Sequence, residues 1–344
     1  MCPGMSREEG ELLEFRRAVS GALAIGTVIV IWGFHYIVLF HPLRLISPGR
    51  YLTLRFFWAS LFLLVLPPFY RLFRNIPLRQ WVELFALGLL SIVWYQWSFL
   101  KAVALMDPLP LVMILSLGPI LVGVVRRLRK EEVFLPVQWF GMIFVVLGTG
   151  FLLSRPWGPA ARPGGNGFAW AFLCLFLFVC QTLLVRRLVS NLTIGQVTFL
   201  PIVIGGAGLS LMNPGEILLP PADRTETVIV ALLYSIFLAL FLAYFLWNAA
   251  IRVLGPTQAS LWSNAQPLVT ALGAYFILGE PLSFRQVGGG ILMAIGFGLF
   301  FVPILSNDPY RMVLEPPVPD GSPPLPLEMD PDRKGEKEEG VGVR

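Results

Sequence analysis

Between residues 19 and 305 the chain is a succession of apolar runs, each close to the roughly 20 residues that a helix needs to cross a bilayer at about 1.5 Å per residue. On that measure ten spans are expected: 19–40, 50–70, 81–103, 108–127, 134–154, 167–189, 195–213, 227–251, 257–279 and 285–305. A soluble fold of 344 residues would show far more than 14% charged side chains beside 56% hydrophobic ones, so lipid is the solvent to reason with. In lipid every backbone polar group needs an internal partner, and for runs of this length the helix provides it. The expected class is therefore an all-α integral membrane protein.

Polar and turn-forming residues punctuate the runs. Asp107-Pro108 and Gly255-Pro256 mark two short connections, while the Pro/Gly-rich stretches around 155–166 and 214–225 read as extramembranous loops. The first apolar run, Ala18 to Phe40, is longer than a signal-peptide core and lacks an Ala-x-Ala-like exit, so it is expected to remain as a helix. Residues 1–17 form a short cytosolic lead, and residues 306–344, rich in Pro, Glu and Lys, are expected to be a disordered cytosolic tail. The basic residues near span ends lean to one side. With the N-terminus inside, Arg71, Arg74, Arg79, Arg126, Arg127, Arg129, Lys130, Arg186, Arg187 and Arg252 fall on inner loops, which places both termini in the cytosol of an inner or plasma membrane.

The chain also repeats itself. A shift of about 148 residues superposes Ala102 on Ala250, Pro108 on Pro256, Pro119 on Pro267, Glu132 on Glu280, Gln138 on Gln286, Gly141 on Gly289, Gly148 on Gly296 and Gly150 on Gly298. Those residue types govern backbone geometry, so shared apolar composition does not account for the match. Five spans per half is an odd number. The second half, 167–305, then crosses the membrane upside down relative to the first, 18–155, with 156–166 as linker. Inverted repeats of this kind build secondary transporters, whose substrate site lies near the midplane between the halves.

The residues that follow this pattern resemble the EamA family of the drug/metabolite transporter superfamily. The resemblance is carried by Trp247-Asn248, Leu254-Gly255, Gln266-Pro267, Leu278-Gly279-Glu280-Pro281, and Gly289, Gly296 and Gly298, with Trp32-Gly33, Leu54-Arg55-Phe56 and Gly118-Pro119 in the first half. Two departures stand out: Phe34-His35 follows Trp-Gly where the family often has Ser-Asn, and Arg129-Lys130-Glu131-Glu132 replaces the Leu-Gly-Glu that closes the fourth helix. The resemblance implies a multi-pass carrier of small metabolites.

Several polar and aromatic side chains fall inside the spans, where they are costly unless they face protein or water. Counted from the outer ends, His35 and Arg55 share a level roughly 8 Å deep, with Trp32 and Trp58 one turn further in. These four are expected to form an outward-facing cluster; the alternative for Arg55 is snorkelling to headgroups. Trp94, Trp97 and Lys101 follow i, i+3, i+7 spacing and read as one face, a stacking wall or an interfacial anchor. Gln181, Tyr244, Asn248, Asn264 and Gln266 are assigned to the inner half, as the far end of a pathway or as interhelical hydrogen bonds. Pro119 and Pro267 are expected to bend their helices and to serve gating.

The absences narrow the chemistry. There is no Walker-type loop, no H-E-x-x-H or G-x-S-x-G motif, and no long basic stretch with interleaved aromatics, so neither an ATPase, an enzyme nor a nucleic-acid binder has support. Cys2, Cys174 and Cys180 match no disulfide or metal spacing, and no cofactor is implied. The expected function is secondary transport, by export and alternating access, of small metabolites such as amino acids. Proton coupling would have to use His35 or a helix-end acid, which leaves uniport and exchange open. Rival readings are an organophosphate or nucleotide-sugar exchanger, which needs more interior cations than Arg55 and Lys101, and a non-transporting receptor or membrane enzyme.

Overall fold

The computed structural model describes residues 7–39, 42–105, 111, 114–152, 165–278 and 282–305. Linker residues 156–164, the tail, Pro108 and Glu280 lie outside them. The described residues are helical with short connections and contain no strand. The principal helices are α1 (Arg7–Leu39), α2 (Pro48–Val65), α3 (Leu78–Leu105 in three stretches), α4 (Gly118–Leu128), α5 (Pro136–Leu152), α6 (Gly165–Val189), α7 (Ile194–Met212), α8 (Glu226–Leu254, also in three stretches), α9 (Pro256–Ser263), α10 (Gln266–Leu278) and α11 (Phe284–Leu305). Among the described residues six segments are long and apolar enough to cross a membrane: Val19–Leu39, Leu78–Ala102, Asn166–Val189, Ile194–Met212, Glu226–Leu254 and Phe284–Phe301.

Local chemistry sets the helix ends. Ser47 caps α2 by accepting from the Arg50 amide, with Pro48 in the first turn, and α2 stops before Pro67-Pro68, which cannot continue its hydrogen-bond ladder. Thr193 and Gln196 close a reciprocal capping box at the start of α7. Gly255, at φ 86°, ends α8 in a conformation that side chains resist, and Pro256 opens α9 directly after it.

Two interruptions recur at the repeat spacing. α3 passes through a π-helical stretch at Leu89–Trp94, and α8 through one at Tyr234–Leu242, which contains the positions equivalent to 89–94. The chain also breaks just before α4, at Ser116 and Leu117, and between α9 and α10, at Asn264 and Ala265. The sequence reading had Pro119 and Pro267 bending continuous helices. Instead, each proline sits in the first turn of a new helix, where its missing N–H is no loss. The expected span 257–279 is thus two helices, α9 and α10.

Glycines let two helices meet backbone to backbone. A Cβ on Gly148 would lie 2.7 Å from the Gly289 carbonyl oxygen, and one on Gly141 2.7 Å from that of Gly296. The earlier glycine of α5 therefore meets the later one of α11, so these two helices run antiparallel in backbone contact. α1 packs along the last stretch of α8, and the last stretch of α3 packs along α6. Many apolar side chains, such as Val65, Phe85, Phe140, Phe176 and Ile291, point outward, as a bundle immersed in lipid requires.

Candidate functional site

The π-helical stretch of α8 organises the interior. A π turn widens the helix and leaves carbonyls available to side chains, and such turns are frequent at functional sites. Trp32 of α1 donates its indole N–H to the Ala239 carbonyl at 3.0 Å. Tyr234 donates back to the Ile31 carbonyl at 2.9 Å, and its ring stacks on His35 at 5.9 Å between centroids. His35 Nε2 lies 2.6 Å from Ser235 Oγ. Tyr51 of α2 donates to the Ala231 carbonyl at 2.8 Å and also touches Ser235 Oγ. With the tyrosine proton on Ala231, Ser235 donates to the Tyr51 oxygen and His35 donates from Nε2, so the three groups satisfy one another.

One turn along α8, Trp32 meets Tyr244 edge-on at 5.4 Å and Trp247 at 5.5 Å. Gln96 of α3 donates to the Tyr244 hydroxyl at 3.4 Å. Arg55 is 8% exposed, with its Nε enclosed and unpartnered, and its guanidinium carbon lies 4.7 Å from the centre of the Phe56 ring. It stands one turn along α2 from Tyr51, which shares Ser235 with His35.

The structure therefore gathers Trp32, His35, Arg55 and Tyr244 in one region. Tyr244 was assigned to an inner cluster separate from Trp32, and that separation is incorrect, because the two rings touch. Trp58 and Trp94 do not join the region; they are 44% and 48% exposed. Trp58 lies away from the α2 face that carries Leu52, Phe56, Ala59 and Leu63 into the core. Trp94 ends the π stretch and points outward, while Trp97, three residues on, is partly buried. Lys101 lies 5.4 Å over the Trp97 ring. Gln181 and Gln266 are partly buried, and among the described residues neither side chain forms a hydrogen bond.

The remaining amides join helices. Asn248 donates to Thr198 Oγ1 at 2.9 Å, and Asn264 donates to the Ser116 carbonyl at 3.1 Å, bridging the two chain breaks. The sequence reading passed over Tyr51, Tyr234, Ser235 and Gln96. Two signals were available: Tyr51 stands four residues before Arg55, and Gln96 is the repeat equivalent of Tyr244.

A second polar cluster lies beyond the end of α4. Arg126, also 8% exposed, places Nη1 2.9 Å from Glu132 Oε1 and Nε 3.3 Å from Glu131 Oε2. These nitrogens are not aligned for hydrogen bonding, so the attraction is chiefly charge on charge. Thr257, at the start of α9, donates to Glu132 Oε2 at 2.6 Å. Arg186 of α6 covers the carbonyls that end α8, reaching Arg252 O at 2.8 Å. Burial pushes the Glu132 carboxyl above the usual carboxylate range, with Arg126 and Thr257 pulling the other way. The sequence reading treated Arg129–Glu132 as an altered basic loop; in the structure Glu132 is a buried acid. Among the described residues no three His, Cys, Asp or Glu side chains come together as a metal site.

A family model described as the EamA-like transporter family matches residues 19–154 and again 165–302. The chain belongs to the EamA-like transporter family. It is a multi-pass membrane transporter, and the two matches fall on its two halves. It is similar to the uncharacterized transporter YyaM of Bacillus subtilis (strain 168), 26% identical over 258 residues, which cover 73% of this chain and 83% of the relative. An uncharacterized transporter of Archaeoglobus fulgidus is 24% identical over 276 residues, covering 80% and 96% respectively. A solved crystal structure superposes with a TM-score of 0.69 at 17% identity, over 86% of this chain and 99% of its own, a likeness of fold.

Proposed function

We infer that this EamA-like transporter is a secondary carrier that exports small metabolites such as amino acids by alternating access. Its ten spans form two inverted five-helix repeats, and both termini lie in the cytosol. One observation carries the reading: residues at the same position in the two repeats touch each other. Gln96 bonds Tyr244, and Asn264 bonds Ser116, each pair 148 residues apart. Contacts between equivalent positions mark an axis relating the halves, and the substrate site of an inverted-repeat carrier lies on such an axis. The antiparallel crossing of α5 and α11 through paired glycines supports the inversion, since these helices are also repeat equivalents. The paired breaks before Pro119 and Pro267 suit gating, because each ends one rigid segment and begins another.

The substrate region is then Trp32, His35, Arg55 and Tyr244, with Trp97, Gln181 and Gln266 along the path. The experiment is substrate-dependent flux in liposomes holding the purified full chain, screened over amino acids, nucleobases and sugar phosphates with and without a pH gradient. Saturable flux that Trp32→Ala abolishes, at unchanged folded yield, is the expected result. Cysteine labelling that puts the segments after the second and seventh spans on the same side of the membrane would remove the inversion, and the carrier with it.

A further inference from the structure

We propose that the solute carried at this site is a monoanion: an apolar or aromatic body bearing a carboxylate that Arg55 and the Tyr244 hydroxyl receive. The inference rests on the carrier reading and assigns the charge of its cargo.

The charge count around Arg55 is the first ground. A guanidinium more than nine-tenths buried costs several kcal/mol unless it is paired and hydrogen-bonded. Arg55 forms no hydrogen bond or salt bridge with a described residue, and its cation–π contact with Phe56 is a small compensation. The acids that pair with arginines do so elsewhere: Glu216 and Asp223 hold Arg50, Glu83 holds Arg187, and Glu131 and Glu132 hold Arg126. Among the described residues no acid supplies the missing negative charge.

The neighbouring polar groups are the second ground. Tyr51, Ser235 and His35 are satisfied by one another and by the Ala231 carbonyl, so they do not turn to Arg55. Tyr244 differs. Its oxygen accepts from Gln96, while its own proton has no acceptor among the described residues. A carboxylate bound at Arg55 would take a charge-assisted bond, and the Tyr244 proton is open to a second one. Trp32 and Trp247, packed at Tyr244, offer the apolar wall for the rest of the solute. Among the described residues the region holds no acid to meet an ammonium group, so an amine adds nothing to recognition. A dianion would need a second cation, and Lys101 stands over Trp97.

The test measures binding of four molecules that share one ring to the purified full chain in detergent at pH 7.5: 3-phenylpropionate, phenylalanine, phenylalaninamide and phenyl phosphate, by calorimetry. 3-Phenylpropionate is expected to bind at least about tenfold more tightly than phenylalaninamide and no less tightly than phenylalanine or phenyl phosphate, the scale of one charge-assisted bond. Arg55→Gln should abolish the preference for the anion, and Arg55→Lys should keep it, which separates charge from packing. Equal binding of phenylalaninamide, tighter binding of phenyl phosphate, no binding of 3-phenylpropionate, or a preference that survives in Arg55→Gln overturns the proposal. Phenylalanine counterflow in liposomes reads the carrier function separately: flux without anion preference sinks the charge assignment alone, and anion binding without any flux sinks the carrier.

Discussion

Arg55 and Arg126 are equally buried, each 8% exposed, yet their surroundings are opposite. Arg126 stands between Glu131 and Glu132, and Glu132 is bonded in turn by Thr257 from the other repeat. Arg55 lies against an aromatic ring, and no carboxylate among the described residues pairs with it. Burying a charge is expensive in either place. At Arg126 the fold meets that cost with its own acids, which ties the end of α4 to the start of α9. At Arg55 no described acid does so, which is the gap the proposed carboxylate would fill. The contrast separates a structural charge from a receptive one without reference to depth in the bilayer.

The largest effect should come from breaking the completed pair. Arg126→Ala leaves Glu132 buried and unpaired and should destabilise the protein by about 3–5 kcal/mol, read by unfolding in detergent. Arg55→Met should be neutral or stabilising in the same assay, because it removes a buried charge that no described acid balances. A comparable loss for both would make Arg55 structural and erase the contrast.

Next in size is the bond between the repeats. Thr257→Val removes a hydrogen bond to a charged acceptor and should cost about 1.5–3 kcal/mol, and much less in the Glu132→Gln background. Purely additive effects would mean that Thr257 and Glu132 act independently.

The pH dependence sharpens the same comparison. The Glu132 carboxyl is held above its ordinary value in the folded protein, so the folded state binds the proton more readily than the unfolded one. Its contribution to stability should fall as pH rises from the ordinary carboxylate value through the raised one, and should be most favourable below that window. Glu132→Gln should flatten this part of the stability profile, whereas Arg55→Met should leave it unchanged.

The smallest effect belongs to the groups around Arg55 that are already satisfied. Trp32→Phe keeps the ring packing but loses the bond to Ala239, a change of about 1 kcal/mol in stability. A much larger loss would show that the π-helical stretch of α8 depends on that bond.

Much of the architecture was readable from residue types. The apolar runs gave the membrane class, and the repeated Pro119/Pro267 and Gly141/Gly289 pairs pointed to both the duplication and the places where the backbone departs from a simple helix. The site was readable in part. Trp32, His35 and Arg55 came from the cost of polar groups in lipid, and that argument is indifferent to which helix faces which. It therefore took in Trp58 and Trp94, which share a depth or a spacing with the others but point outward. It missed Ser235 and Gln96, whose importance comes from the partner across the bundle.

The chain alone determined that it would be helical, apolar and duplicated, with helix-disturbing prolines at matching points, because these follow from local hydropathy and backbone chemistry. The pairing of charges was decided by tertiary packing. Glu132 reads as part of a basic loop until Gly255 turns α9 against it, and Arg55 reads equally as a site cation or a snorkelling end until packing buries it without a described acid. Electrostatic energy depends on distances between groups far apart in sequence, and those distances exist once the helices have packed.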